Sequence, residues 1–353
     1  MIKKLFLISS LLVLIFLGLQ FLSSGMTSEK QETFVPRLVP KKVAFTPRPL
    51  TLETIFNQER PNIATLSAEK ITTLVATGDV GLVRSVNFQM SNRNDFVYPF
   101  ARIADVLKEA DLTLVNLEGP LVKNCPLTNT GMVFCGNPEG VEGLVFAGID
   151  LISLTNNHSF DYGQDGLLET IKVLNKRGIT PVEPEKIVFK EIKGQKFAFL
   201  GFEDVNKKVA EAKIGAQIKQ AKSLADLVIV SFHWGVEYNA YPTQRQKELA
   251  RLAIDSGADL IIGNHPHWIQ PVEIYKDKLV VYSHGNFIFD QLWSKETRQG
   301  LIGRYTFYED KLIYAEFLPI FISETYQPYL LEGEEKEEIL KIIEEESRKF
   351  LTP

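Results

Sequence analysis

Short apolar runs that end in chemically active polar residues constrain this chain more than any other feature. The candidate strands are residues 72–77, 112–116, 151–155, 196–201, 227–232, 260–263 and 279–283. Most are continuous apolar runs, as expected of strands buried on both faces. Helical patterns fall between them. Residues 166–176 place Leu167, Ile171 and Leu174 on one face, and residues 243–256 place Leu249, Leu252 and Ala253 on one face, with Gly257 as a stop. This alternation predicts a layered α/β domain. Residues 300–308, a Glu309-Asp310 turn and residues 312–320 then read as a β-hairpin. A charged helix over residues 334–351 closes the chain, with Ile339, Ile342, Ile343 and Phe350 as its apolar face.

In open α/β sheets, sites form beyond the carboxyl ends of strands. The first run here leads into Gly78-Asp79, the second into Asn116-Leu117-Glu118, and the third into Asn156-Asn157-His158 with Asp161 close behind. The later runs lead into His233-Trp234-Gly235 with Glu237, Asn264-His265-Pro266-His267, and His284-Gly285-Asn286. All 5 histidines fall in this set. His265 and His267 lie two apart, so on an extended segment both rings face one pocket. Imidazole, carboxylate and amide oxygen together suit manganese, iron or zinc, and the set lacks the thiolates of a structural zinc site. Asp79, Glu118, Asn157, His233, His265 and His267 are therefore expected to hold one or two divalent cations, which would activate a water.

Composition bounds the partners. With 45% hydrophobic and 24% charged residues the chain is globular, and a net charge of −5 with no basic run past the N-terminus argues against nucleic acid as a partner. At the N-terminus, Lys3 and Lys4 precede an apolar run over residues 5–22, near the lower limit for crossing a bilayer. Ser23-Ser24-Gly25 is a poor cleavage site, which favours an uncleaved anchor over a cleaved signal. Lysines ahead of the run keep the N-terminus cytoplasmic, so a single-pass membrane protein with its main domain outside is expected. The expected organisation is an anchor or signal segment at 1–25, a polar, proline-bearing tether at 26–70 with one short helix at 52–58, the main domain at 71–322 and the charged helix at 323–353. Cys125 and Cys135 would pair in an oxidising space; two free thiols are the alternative.

The ordered motifs resemble the CapA family, named for poly-gamma-glutamate capsule biosynthesis, and through it the calcineurin-like metallophosphoesterases. The stretches that carry the resemblance are Thr77-Gly78-Asp79-Val80, Asn116-Leu117-Glu118-Gly119-Pro120-Leu121 and Asn156-Asn157-His158-Ser159-Phe160-Asp161-Tyr162-Gly163. Further on they are His233-Trp234-Gly235-Val236-Glu237-Tyr238, Gly263-Asn264-His265-Pro266-His267 and Tyr282-Ser283-His284-Gly285-Asn286-Phe287. The resemblance implies a metallophosphoesterase-like α/β sandwich. It places Asp79 at the opening of the first metal motif, Glu118 at the bridging carboxylate, and Asn157, His233, His265 and His267 among the ligands. It makes His158 the acid toward a leaving group. Two departures stand out. Asp79-Val80-Gly81 lacks the histidine of the superfamily's Asp-x-His, which leaves one metal a ligand short unless Asp161, Glu237 or another group substitutes. Thr180-Pro181-Val182-Glu183-Pro184 replaces a glycine-rich turn.

Asp161 is read either as a metal ligand or as the acceptor that orients His158. Asn116, Trp234, Glu237 and Arg298 are candidate substrate contacts, with Trp268, Trp293, Arg84 and Arg93 as further candidates, and Asn286 reads as a turn former or as a donor in the pocket. Two functions fit. One is a membrane-anchored, metal-dependent hydrolase of a phosphoester, or of an amide or ester in an anionic polymer. The other is a non-catalytic partner of membrane-bound poly-gamma-glutamate synthase subunits that binds polymer carboxylates through a cation.

Overall fold

The chain lays down half of one sheet, then all of a second, then returns to finish the first. A computed structural model describes residues 50–57, 63 and 66–351. The expected membrane segment and most of the expected tether lie outside the described residues. Among the described residues no helix is long and apolar enough to cross a membrane. All of them fall in one compact unit, residues 45–353.

Helix α1 (Leu52–Phe56) precedes strand β1 (Ile71–Val80). Helices α2 (Arg84–Arg93) and α3 (Ala104–Lys108) lead to β2 (Leu112–Leu117), α4 (Val141–Phe146) to β3 (Leu151–Ser153), and α5 (Gly163–Lys176) to β4 (Thr180–Val182). These four strands are parallel neighbours. The second sheet holds β5 (Val188–Ile192), β6 (Gln195–Glu203), β7 (Leu227–His233), β8 (Leu260–Asn264), β9 (Val272–Tyr275) and β10 (Lys278–Val281), in the order β5-β6-β7-β8-β10-β9. Its crossovers carry α6 (Glu211–Lys222) and α7 (Gln244–Asp255). The chain then re-enters the first sheet through β11 (Asn286–Ile288), β12 (Gln299–Tyr308), β13 (Lys311–Ile322) and β14 (Pro328–Leu330), and ends in α8 (Gly333–Leu351).

Alternation along each strand explains the continuous apolar runs. Leu74 and Ala76 of β1, Leu112 and Leu114 of β2, Phe197 and Phe199 of β6, Leu227 and Ile229 of β7, and Leu260 and Ile262 of β8 share one core between the sheets. The residues in between face outward. Val75, Val115 and Ile152 pack under α2 to α5, while Val228, Val230 and Ile261 pack under α6 and α7. The result is two sheets face to face with helices outside both, the layered α/β sandwich expected. Each fully buried aliphatic or aromatic side chain contributes about 1.5–3 kcal/mol relative to exposure. Helix α7 starts at the capping box of Thr243 and Gln246, which satisfies two otherwise free backbone donors.

One expectation needs correction. On α8 the buried apolar residues are Ile339, Leu340 and Ile343, whereas Ile342 is 52% exposed. Leu340 takes the place assigned to Ile342, because α8 and α1 together close one end of the inter-sheet core. Thr180-Pro181-Val182, where the resemblance has a glycine-rich turn, forms β4, an edge strand, where proline's missing N–H costs no ladder bond.

Candidate metal centre

The parallel strands of both sheets end at the same edge, and the polar residues meet there. The first sheet delivers Asp79 on β1, Asn116 on β2, Glu118 just beyond it, and Asn156, Asn157 and His158 after β3. The second delivers His233 as the last residue of β7 and, beyond Asn264 of β8, His265 and His267. The His265 backbone N–H donates to Asp79 Oδ2 at 3.2 Å, and Asn264 Nδ2 donates to the Thr77 carbonyl at 3.4 Å. These bonds tie the two sheets together at the site. His265 and His267 adopt left-handed φ values of 98° and 58°, and Tyr238 one of 58°. Such backbone costs about 1–2 kcal/mol per residue and needs support. It is supplied by the Asp79 contact and by the Tyr238 N–H donating to the Pro266 carbonyl at 2.8 Å.

The polar network is dense and directional. Asn116 Nδ2 donates to Asp79 Oδ1 at 2.8 Å and lies 3.2 Å from His233 Nδ1. The far ring nitrogen of His233 meets Asn157 Oδ1 at 2.7 Å. His267 Nδ1 donates to Asn286 Oδ1 at 2.9 Å and lies 3.3 Å from Asp79 Oδ2, so its Nε2 is left facing Glu118, 3.9 Å away. His158 Nδ1 pairs with Asp161 Oδ2 at 2.8 Å, and its Nε2 lies 3.8 Å from Glu118 Oε1. The His158 ring stacks on Phe134 with centroids 3.8 Å apart, and the Phe134 N–H donates to the same Asp161 oxygen at 2.6 Å. Cys135, next to Phe134, is disulfide-bonded to Cys125. On its other side Phe134 faces the Arg84 guanidinium at 4.6 Å, and Arg84 is paired with Asp290.

The structure thus brings Asp79, Glu118, Asn157, His158, His233, His265 and His267 together, with Asp161 behind His158 facing its ring. Other expected contacts lie elsewhere. Trp234 is fully buried, stacked on Phe232 at 4.2 Å, and its indole N–H donates to the Tyr282 carbonyl. It follows His233 by one position, so it faces the helices rather than the site. Arg298 donates to the Ile322 carbonyl and pairs with Glu324 on the far hairpin. Asn116 is buried and committed to the network, so it orients other groups rather than touching a substrate. The fifth histidine, His284, does not converge: its Nε2 lies 2.8 Å from the Tyr305 hydroxyl, in the inter-sheet core. Asn286 opens β11 and fixes the His267 ring rather than forming a turn. Trp293 is 62% exposed, its ring 5.9 Å from that of Tyr238. Phe134 and Phe289 were not singled out from sequence; the only available signal for Phe134 was its place beside a cysteine.

A family model described as the bacterial capsule synthesis protein PGA_cap matches residues 73–291, which includes every strand-end motif of the site. The chain belongs to the PGA_cap family. It is 31% identical over 284 residues to the capsule biosynthesis protein CapA of Bacillus anthracis, covering 72% of this chain and 68% of that protein. It is 30% identical over 289 residues to the PGA biosynthesis protein CapA of Bacillus subtilis (strain 168), covering 75% of each. A probable polyglutamine synthesis accessory protein of Mycobacterium tuberculosis is 24% identical over 250 residues, covering 61% of this chain and 66% of that protein. The two-sheet layering is consistent with the calcineurin-like fold.

Electrostatics in this PGA_cap domain ask for a cation. Glu118 is 1% exposed, and neither carboxylate oxygen has a hydrogen-bond partner. Burial pushes its pKa up to about 8, against the pull of His267. Burial alone would depress His267, but the Glu118 and Asp79 carboxylates overcome this and hold it at about 9. Burial and the neighbouring His267 push His265 down to about 3, and burial with the adjacent imidazoles pushes His233 well down. Those two rings are therefore neutral, the form that binds metal. The His265 Nδ1 atom is also buried without a partner. Ligand atoms of Asp79, Glu118 and His267 lie within 4.8 Å of one another, as do those of Glu237, His265 and His267. A buried carboxylate with no hydrogen bond is costly, and the His267 ring that faces Glu118 at 3.9 Å is shared with Asp79, so the residues present fit a divalent cation held by oxygen and imidazole donors.

Proposed function

We propose that this chain acts in poly-gamma-glutamate capsule biosynthesis as an extracytoplasmic, metal-dependent hydrolase. The bond cleaved is a phosphoester, or an amide or ester of the anionic polymer. The observation that carries this reading is the buried Glu118 carboxylate with both oxygens unpartnered amid Asp79, His267 and neutral imidazoles. Asp79, Glu118, Asn157, His233, His265 and His267 would hold one or two ions of manganese, iron or zinc. Bound there, a divalent cation supplies positive charge that polarises a scissile oxygen and acidifies water.

The protein's own groups have defined tasks. His158 presents Nε2 beside Glu118 and delivers a proton to the leaving group. Asp161 accepts from the opposite ring nitrogen and so keeps Nε2 turned toward the site. Phe134 fixes the ring plane by stacking. An extracytoplasmic setting is supported by the Cys125–Cys135 disulfide, and the apolar run at residues 5–22 would provide the single-pass anchor.

A second reading is a non-catalytic accessory that binds polymer carboxylates through the cation beside the membrane-bound synthase. It is favoured by the mycobacterial relative, which is named as a probable polyglutamine synthesis accessory protein. One experiment separates the two. Purified protein with Mn²⁺ is assayed on a generic phosphodiester and on γ-glutamyl peptides. Turnover that vanishes in Glu118→Gln is expected; metal binding without turnover on any anionic substrate supports the accessory reading instead.

A further inference from the structure

Glu237 belongs to neither sheet. It lies in the short segment after β7, and that segment is laced to the histidine loop after β8. The Trp234 N–H donates to the Asn264 carbonyl at 3.2 Å, and the Tyr238 N–H donates to the Pro266 carbonyl at 2.8 Å. Between these bonds the chain turns through Gly235 at a φ of 89°, where a Cβ would sit 2.6 Å from Gln246 Oε1, so only glycine fits. The lacing sets Glu237 beside His265 and His267, with one ligand atom of each within 4.8 Å of the others.

The donor that Glu237 would supply is not available from β1. Beyond Asp79, Gly81 has no side chain, and a Cβ there would fall 2.8 Å from the Phe289 ring. Phe289 fills that space and lies 5.0 Å, centroid to centroid, from His267. Positive charge is also short. The Asp79, Glu118 and Glu237 carboxylates surround His267, while Arg84, whose charge reaches Glu118, is paired with Asp290. His265, 3% exposed, holds a buried Nδ1 that no group satisfies.

We propose that Glu237 is a metal ligand, holding a divalent cation together with His265 and His267, rather than a contact to substrate. This rests on the reading of the strand-end cluster as a metal centre and adds to it the group that completes the centre on the side left open by Gly81.

Mn²⁺ binding to the purified full chain, followed by calorimetry and by the electron paramagnetic resonance of free Mn²⁺, tests this without any activity assay. Glu237→Ala is expected to weaken at least one equivalent of Mn²⁺ by about tenfold or more, with Glu237→Asp weakened less. Glu237 is partly exposed, and melting of each variant in EDTA checks that the fold is kept. Arg298→Ala, which removes a side chain committed to the Ile322 carbonyl and Glu324, should bind as the parent does. If the parent binds Mn²⁺ and Glu237→Ala matches it in stoichiometry and affinity, the assignment of Glu237 fails while the metal centre stands. If the parent binds no Mn²⁺, both fail.

Discussion

Glu118 concentrates the chemistry of this protein in one side chain. A group whose pKa rises on folding stabilises the fold while it keeps its proton, and that stability is lost as pH climbs through the folded value. Glu118, raised to about 8, and His267, raised to about 9, both act in this direction. His265 and His233, both held down from 6.5, act the other way and offset Glu118 below that pH, so the metal-free protein should lose thermal stability from about pH 6.5 up to about pH 9. Saturating Mn²⁺ should raise the melting temperature more at pH 8.5 than at pH 6, since protons compete for the same atoms. Glu118→Gln should flatten the metal-free pH slope; a slope identical to the parent's would show that Glu118 does not titrate in this site. His158 makes a separate prediction. Asp161→Asn should lower turnover about tenfold or more while leaving Mn²⁺ affinity within a factor of about two, because Asp161 touches the His158 ring and belongs to neither metal-ligand cluster. At this scale the sequence reading was strongest where a residue ends a strand and weakest one position later. His233 and Trp234 are adjacent, yet alternation sends one into the site and the other into the core under the helices.

Among the elements, the loop bearing Phe134 links stability to the site. The Cys125–Cys135 bond spans 10 positions of sequence, and closing a loop of that size stabilises by roughly 2–3 kcal/mol. Cys135→Ser should lose about that much and should also reduce turnover, because Phe134 both stacks on His158 and donates to Asp161. Full activity in the reduced protein would uncouple the loop from catalysis. The register of α8 is checked by a pair of variants. Ile343→Ala, in the inter-sheet core, should cost about 2–4 kcal/mol, whereas Ile342→Ala, exposed, should change stability by under about 0.5 kcal/mol. Similar denaturation midpoints would place the wrong face inward. The long, doubly buried strands were readable because burial on both faces leaves an unbroken apolar run. Strands β4, β11 and β14 have three residues each, and β4 contains Pro181, so neither length nor periodicity marks them. Their existence depends on a neighbouring strand supplying the hydrogen bonds.

For the molecule as a whole, the site exists because two sheets aim their parallel carboxyl ends at one edge. Sequence reveals which residues end strands, and it therefore revealed most of the cluster. It does not reveal how the two sheets are rotated about their common core, and the misassignments follow from this. Arg298 lies on the hairpin side, and His284 turns inward to Tyr305. The polar cross-links Asn264 to Thr77 and His265 to Asp79 fix the rotation. The most direct measurement of the convergence they produce is anomalous scattering at the manganese edge from crystals grown with Mn²⁺. The expected result is a strong peak bounded by Asp79, Glu118 and His267. Diffraction of equal quality with no peak between those three side chains would contradict the metal centre on which the proposed chemistry depends.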